Sequence, residues 1–328
     1  MKALVYTGPE ALDYRDAPEP EPGADALIAI AHVGICGSDM HAWAGHDDRR
    51  PAPLILGHEA AGQILAGPGQ GRRVTINPLV ACGACEACRT GRENICPNRQ
   101  IISMPPREGA FAERIAMPAG NLVEIPEGVP TEKAALAEPL ACGWHAVRLG
   151  RGAIARPLEE ARCLVYGGGA IGLGAALALL AQGAREVHLA EPHADRRAVV
   201  AKAGEIRAFD PAAETGPREV DLVIDGVGIA ATRAAASAAV RPGGAIMHIG
   251  LGSGEGGLDI RRMTLQEITF IGTYTYTAAD FRETAAAIFA GRLGALDWPE
   301  IRPLAEGARA FADIKAGRVA APKIILQP

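Results

Sequence analysis

The chain of 328 residues has no apolar run long enough to cross a bilayer. Its most hydrophobic stretch, about Ala175 to Ala181, falls far short of the roughly 20 residues that a spanning helix needs. No charged leader precedes an apolar segment either. Met1 runs straight into Lys2-Ala3-Leu4-Val5-Tyr6, which alternates like a strand and ends at Gly8-Pro9. Concentrated basic charge is also missing. The net charge is −5, and Arg49-Arg50 and Arg196-Arg197 are isolated pairs, read mostly as solvated surface charge. This argues against a nucleic-acid surface. There is no internal repeat and no low-complexity tract. Together these absences predict a cytoplasmic protein with neither membrane nor nucleic-acid partners, in which thiols stay reduced.

What is present suggests two domains, on a prior of about 150 residues each. Hydrophobic residues make up 48% of the chain, enough for sizeable cores. The first part reads as short strands punctuated by Gly and Pro, such as Leu27 to Val33, Arg73 to Asn77 and Leu122 to Ile125. An Ala-rich helix is predicted over Leu140 to Leu149. From Cys163 strands and helices alternate: Cys163 to Tyr166, a helix from Ile171 to Gln182, Glu186 to Ala190, and a helix from Asp195 to Ala203. Strands near Ile206–Phe209, Val220–Ile224, Ala245–Ile249 and Ile268–Ile271 follow, with helices at Ala278–Ala290 and Glu306–Ala316. Alternation of this kind predicts a parallel sheet covered by helices on both faces.

Four of the seven cysteines lie together. Cys82-Gly-Ala-Cys85-Glu-Ala-Cys88, then seven residues, then Cys96 puts four thiolates within 15 positions. Zinc takes four soft ligands tetrahedrally, and the small residues between them let the chain turn about the ion. A shell closed by sulfur leaves no place for substrate, so the ion would be structural. Buried or disulfide-bonded cysteines and an iron–sulfur cluster are the alternative readings. A second signature is Gly167-Gly168-Gly169-Ala170-Ile171-Gly172, placed after one strand and opening a helix. Gly167, Gly169 and Gly172 fit the pattern that brings a pyrophosphate against a helix N-terminus. Glu191 ends the next strand, where a carboxylate accepts the adenosine ribose hydroxyls and repels a 2′-phosphate. NAD is therefore preferred, while Arg196 and Arg197 keep NADP open.

Cys36-Gly-Ser38-Asp39-Met-His41 and Gly57-His58-Glu59 complete the pattern. Alone, a Cys and a His so far apart are more often core residues than ligands. With Gly34-Ile-Cys36-Gly-Ser-Asp39, Gly57-His-Glu-Ala-Ala-Gly62, the four-cysteine lobe, Glu138-Pro139-Leu140, the glycine loop and Asp221 to Gly228, the chain resembles the zinc-containing medium-chain dehydrogenase/reductase family, in its polyol (sorbitol-type) branch. The resemblance covers nearly the whole sequence. It implies a GroES-like, mostly β catalytic domain over residues 1–145 and 288–328, with a structural zinc lobe at about 78–100. A Rossmann domain of doubly wound parallel sheet would occupy 146–287, giving an α/β protein.

Residue by residue, the resemblance implies a catalytic zinc held by Cys36, His58 and one or both of Glu59 and Glu138, with an open position. Two zinc ions per chain and NAD are the implied cofactors. Such an ion lowers the pKa of a bound hydroxyl and so readies a carbinol for hydride loss to the nicotinamide. Ser38 and His41 match the proton relay. Gly167, Gly169, Ala170, Ile171, Gly172, Glu191, Arg196, Val227, Ile249, Gly250, Leu251, Thr273, Tyr274 and Thr275 are the expected cofactor contacts. Cys142 matches no ligand position and reads as a small buried residue, as does Cys163. A homo-oligomer, dimer or tetramer, joined through the edge of the Rossmann sheet would be usual for the family.

Three departures bear on the substrate. Ala42 stands where the branch commonly has tyrosine, and Thr275 where it commonly has arginine, so a fixed donor fork for substrate hydroxyls is lost. The stretch from Gln63 to Arg73 is also short. Trp43 and Tyr276 remain candidate substrate contacts. The expected reaction is NAD-linked oxidation of a secondary alcohol, a polyol or sugar alcohol, to a ketone. A simpler secondary alcohol or diol, a zinc-free quinone or enone reductase of the same fold, and a non-catalytic nucleotide-binding scaffold are the alternatives.

Overall fold

From Arg162 onward the alternating pattern becomes a six-stranded sheet, parallel throughout, in a computed structural model that describes residues 1–328. The sheet runs in space from Arg207–Phe209 through Glu186–Ala190 to Arg162–Tyr166, then from Val220–Asp225 through Val240–His248 to Thr269–Gly272. Chain order reverses between Arg162–Tyr166 and Val220–Asp225, which opens a crevice at the carboxyl ends of those strands. The strands read as unbroken apolar runs because helices cover both faces. Helix Ala137–Ala153 crosses helix Ala170–Ala181 closely, since a β-carbon on Gly143 would sit 2.5 Å from the amide of Ala175. Both helices belong to the largest core cluster, 37 buried residues that include Leu140, Trp144, Leu173 and Leu177.

Several elements differ from the sequence expectation, among them short helices Gly37–Trp43, Thr131–Ala134 and Ile260–Leu265. Val240–His248 begins five residues before the expected Ala245, because a register shift against Val220–Asp225 absorbs Arg241-Pro-Gly-Gly. Helix Ala230–Ala239 was not foreseen; its Ala-rich sequence shows no long apolar stripe, and Thr232 Oγ1 holds its start by accepting from the Ile229 amide at 3.1 Å.

The other half is antiparallel around Ala26–Gly34, which pairs with Glu59–Ala66 and Arg114–Met117. On its far side Ile324–Gln327 pairs with it, Ile325 opposite Gly34 and Leu326 opposite Val33. Late residues thus complete an early sheet. A cluster of 31 buried residues fills this half. No helix is long and apolar enough to cross a membrane.

Candidate active site and metal centres

Cys36 ends the loop after Ala26–Gly34 and caps helix Gly37–Trp43. Asp39, in the first turn of that helix, is fully buried and accepts the Cys36 amide at 3.0 Å and the Gly57 amide at 3.2 Å. Its other contact is His58 Nδ1, 3.3 Å away, which leaves Nε2 pointing inward. One carboxylate therefore fixes both the thiol and the imidazole. Burial opposes the charge on Asp39, but His58, Arg50 and the Cys36 amide hold its carboxyl below the usual range.

Glu59 completes the cluster. The ligand atoms of Cys36, His58 and Glu59 all lie within 4.8 Å of one another. Gly34 makes room for this, because a β-carbon there would be 2.0 Å from Glu59 Oε2. Lys323, buried at the start of the late strand, donates to Glu59 Oε1 at 2.6 Å and to the Ile35 carbonyl at 2.8 Å. Burial works against this ammonium, yet Glu59 and Cys36 keep its pKa above the ordinary value. The second oxygen, Glu59 Oε2, is buried without any partner. An unpaired buried carboxylate oxygen costs several kcal/mol unless a cation meets it. Thiol, imidazole and carboxylate form a donor set that suits zinc, so the residues fit a catalytic metal.

Glu138, expected as a possible fourth ligand, lies outside that 4.8 Å cluster: it stands at the start of helix Ala137–Ala153, near enough to feel the charges of His58 and Glu59, and accepts the Tyr276 hydroxyl at 2.7 Å. Burial raises its pKa to about 7; His58, Tyr276 and Lys323 pull it down while Glu59 adds to the rise. Tyr276, expected at the substrate, is instead buried at 1% exposure with its hydroxyl committed to Glu138. Trp43 also departs from expectation. It closes its helix on the core side and lies edge-on to Phe311 at 5.6 Å, in the hydrophobic cluster. Arg50 is not the solvated charge expected. It is 3% exposed and donates to the carbonyls of Ser103 and Ser38 and to Asp47, bracing the backbone on both sides of His58. Ser38 Oγ lies 3.5 Å from His58 Nε2, and Ser103 Oγ 3.5 Å from Nδ1. His41 is exposed one turn on, its ring 5.3 Å from that of His46. Cys142 is half-buried behind Glu138, and Cys163 is buried in its strand, its thiol pushed up to about 12 by burial.

In the lobe, Cys96 Sγ is 3.5 Å from Cys82, Cys85 Sγ 3.4 Å from Cys88, and Cys82 Sγ 3.9 Å from Cys88. A tetrahedron of sulfurs around zinc has edges of about 3.8 Å, whereas a disulfide needs about 2.0 Å. The quartet fits one ion and no disulfide.

The glycine loop turns at Gly167, φ +97°, whose amide bonds the Ala190 carbonyl at 2.9 Å. A β-carbon on Gly172 would strike the Gly167 carbonyl at 1.9 Å, while at Gly169 it would enter open space. That space lies at the N-cap of helix Ala170–Ala181, where a pyrophosphate fits. Glu191 accepts the amides of Gly168 and His193, both at 2.8 Å. Arg196 stays beside that carboxylate: its Nη2 donates to the Val319 carbonyl at 3.1 Å while its Nη1 lies 4.0 Å from Glu191 Oε2. Asp225 organises the next loop by accepting the amides of Val227 and Gly228 and the hydroxyl of Thr232, and its carbonyl takes the amides of Ile249 and Gly250. The Thr273 amide bonds the His248 carbonyl, and Leu251 is 89% exposed. Ala170, Ile171, Tyr274 and Thr275 complete the expected contacts, and Thr275 holds φ +47° with a buried, unpartnered Oγ1.

Residues 22–127 match the family profile described as an alcohol dehydrogenase GroES-like domain, and residues 170–290 match the one described as a zinc-binding dehydrogenase. L-galactonate-5-dehydrogenase of Escherichia coli K12 is 35% identical over 90% of this chain and 89% of its own. The chain belongs to the zinc-containing medium-chain alcohol dehydrogenases. Sorbitol dehydrogenase of Bacillus subtilis 168, another relative of this dehydrogenase, is 34% identical over 84% of the chain and 82% of its own. A zinc-binding dehydrogenase of Sinorhizobium meliloti 1021, solved with NADP, superposes with a TM-score of 0.89 at 27% identity, covering 100% of this chain and 99% of that one. As a member of the polyol branch, the protein is a zinc-dependent oxidoreductase that moves a hydride between a secondary alcohol and a nicotinamide cofactor.

Lys323, Asp39, Ser103, Arg50 and Asp225 had no role assigned from sequence. Lys323 carried a signal, a lone lysine leading into the apolar Ile324-Ile-Leu, but nothing in the sequence named Glu59 as its partner.

Proposed function

We propose that this dehydrogenase oxidises a secondary hydroxyl of a polyol or another polyhydroxylated sugar derivative, at a site formed by Cys36, His58, Glu59 and Glu138. The observation that carries the reading is the orphaned Oε2 of Glu59, buried beside a thiol and an imidazole and held by Lys323 at its other oxygen. The names of the Escherichia coli and Bacillus subtilis relatives point to polyhydroxylated substrates. Zinc at these residues supplies a Lewis acid that favours the ionised form of an alcohol, and NAD supplies the hydride acceptor.

The chain's own groups do the rest. Asp39 and Lys323 orient the ligands, and Tyr276 steadies Glu138. Ser38 would take the alcohol proton, and His41, exposed on the same helix, would receive it by way of the cofactor ribose and hand it to water. Glu191 accepts the adenosine ribose hydroxyls and disfavours a 2′-phosphate. With Thr275 in place of arginine, substrate hydroxyls meet neutral donors, the one feature that favours a simpler alcohol or diol. The cofactor domain spans about 146–287, inserted in the catalytic domain.

A homo-oligomer is supported by Leu251, Ile260 and Leu265, at 89%, 63% and 69% exposure, near the unpaired edge strand Thr269–Gly272. Seven unpaired cysteines support a cytoplasmic location. The test is NADH formation with a panel of polyols, sugar acids and diols, run with NAD and NADP in parallel. Turnover of polyhydroxylated compounds with NAD is expected. Turnover of simple alcohols alone, or with NADP alone, would overturn the substrate or the Glu191 assignment respectively.

A further inference from the structure

The four-cysteine lobe does more than hold an ion: it reaches across to the cofactor domain at two points that bracket Tyr276. Asn94, buried and two residues before Cys96, donates from Nδ2 to the Tyr274 carbonyl at 2.8 Å. Its neighbour Glu93 accepts the Ala278 amide at Oε1, 2.5 Å away. Arg99, three residues past Cys96, lays its guanidinium 4.9 Å above the centroid of the Tyr274 ring. Both tethering side chains stand on the short turn Glu93–Ile95, whose geometry is closed by Cys96 donating its amide to the Glu93 carbonyl at 3.0 Å.

Between the gripped ends lie Thr275, Tyr276 and Thr277. A β-branched residue at φ +47° is strained and persists only where its surroundings over-determine it. Tyr276 must also stay in place for its hydroxyl to meet Glu138. We infer that the lobe is the scaffold positioning segment Tyr274–Ala278, with Asn94 and Glu93 as positioning residues that hold its two ends. A metal that never meets substrate thereby sets the position of the tyrosine whose hydroxyl holds Glu138. The consequence for substrate rests on the function proposed above; the mechanical link does not.

The test uses the full-length zinc-loaded protein, with zinc analysis, amide hydrogen exchange and steady-state kinetics. Asn94→Ala and Glu93→Ala should each retain two zinc ions per chain. In both, amides of residues 274–278 should exchange about tenfold faster, the effect of losing one hydrogen bond of ordinary strength. KM for the alcohol should rise about fivefold, with a smaller change in kcat. Glu93→Gln keeps an acceptor oxygen and should restore wild-type exchange and KM. Unchanged exchange at 274–278 in both alanine variants, or Glu93→Gln behaving like Glu93→Ala, would overturn the inference. Should Asn94→Ala shed the lobe's zinc, the Glu93 pair decides. Because exchange needs no substrate, failure of the polyol reading would show separately, as wild-type protein inactive on polyols but with the exchange difference intact.

Discussion

The two cysteine sites are built on opposite plans. Within Ala81–Gln100 only Asn94 and Cys96 are buried, so the lobe has almost no apolar core of its own. The trio of Cys36, His58 and Glu59 sits on the opposite kind of support, with Ile35 and Leu56 buried around it and Asp39, Lys323 and Arg50 as a charged surround. The lobe needs its ion to exist as a structure. The trio is held in place by the protein, and its ion would meet a carboxylate oxygen that is otherwise unpaired. This is why one shell can be closed and uniform while the other is mixed and open.

The largest effect should come from the lobe. Cys88→Ser should strip its ion and unfold about residues 81–100, since binding of structural zinc supplies about 10–16 kcal/mol of apparent free energy in comparable small sites. Protease nicking confined to the lobe, with the remainder resistant, is the expected reading; a lobe that stays protected would break the contrast. Cys36→Ser should do the reverse: about a thousandfold loss of turnover, the worth of several kcal/mol of Lewis-acid stabilisation, with the thermal midpoint nearly unchanged. Near-full turnover in that variant would defeat a catalytic metal at Cys36.

A third variant tests the charged surround. In the zinc-free protein Lys323→Met leaves Glu59 buried without any cation and should cost about 3–5 kcal/mol in chemical denaturation, whereas Lys323→Arg should recover part of it. No loss in Lys323→Met would mean that Glu59 is neutral or rearranged.

The smallest effect concerns neither site directly. Asp280 caps helix Ala278–Phe289 with Thr277 and binds His145 and Arg148. Burial opposes its charge, but the hydrogen bonds from His145, Arg148 and Thr277 hold its carboxyl well below the usual range. A carboxyl depressed in the folded state contributes stability above its unfolded pKa of about 3.9, and that contribution is lost as pH falls further. Asp280→Asn should cost about 1.5–3 kcal/mol at neutral pH and less in acid, so the two stability curves should converge below about pH 4. Parallel curves would assign the acid sensitivity elsewhere.

Much of this was legible in the sequence, unevenly. The parallel sheet could be read because alternation and apolar runs are local properties, and even the Val240 strand was misjudged only where Pro242 and two glycines hid its start. The quartet was readable because its ligands are neighbours. Cys36, His58 and Glu138 could be picked out only by resemblance, since their spacing alone looks like core. Lys323 escaped because its meaning lies in a partner 264 residues away. Trp43 misled because an aromatic beside a motif reads equally as pocket or core, and the helix face that decides between them is set by Phe311.

The Glu59–Lys323 pair also imposes an order of events. Chains are made from the amino end at about 5–20 residues per second, so the carboxylate emerges some tens of seconds before its cation. Throughout that interval Glu59 must remain hydrated, because sealing it early would trap an uncompensated charge. The early sheet therefore stays unsealed along its Gly34 edge until the late strand arrives, and the reactive pocket is among the last parts of the molecule to close.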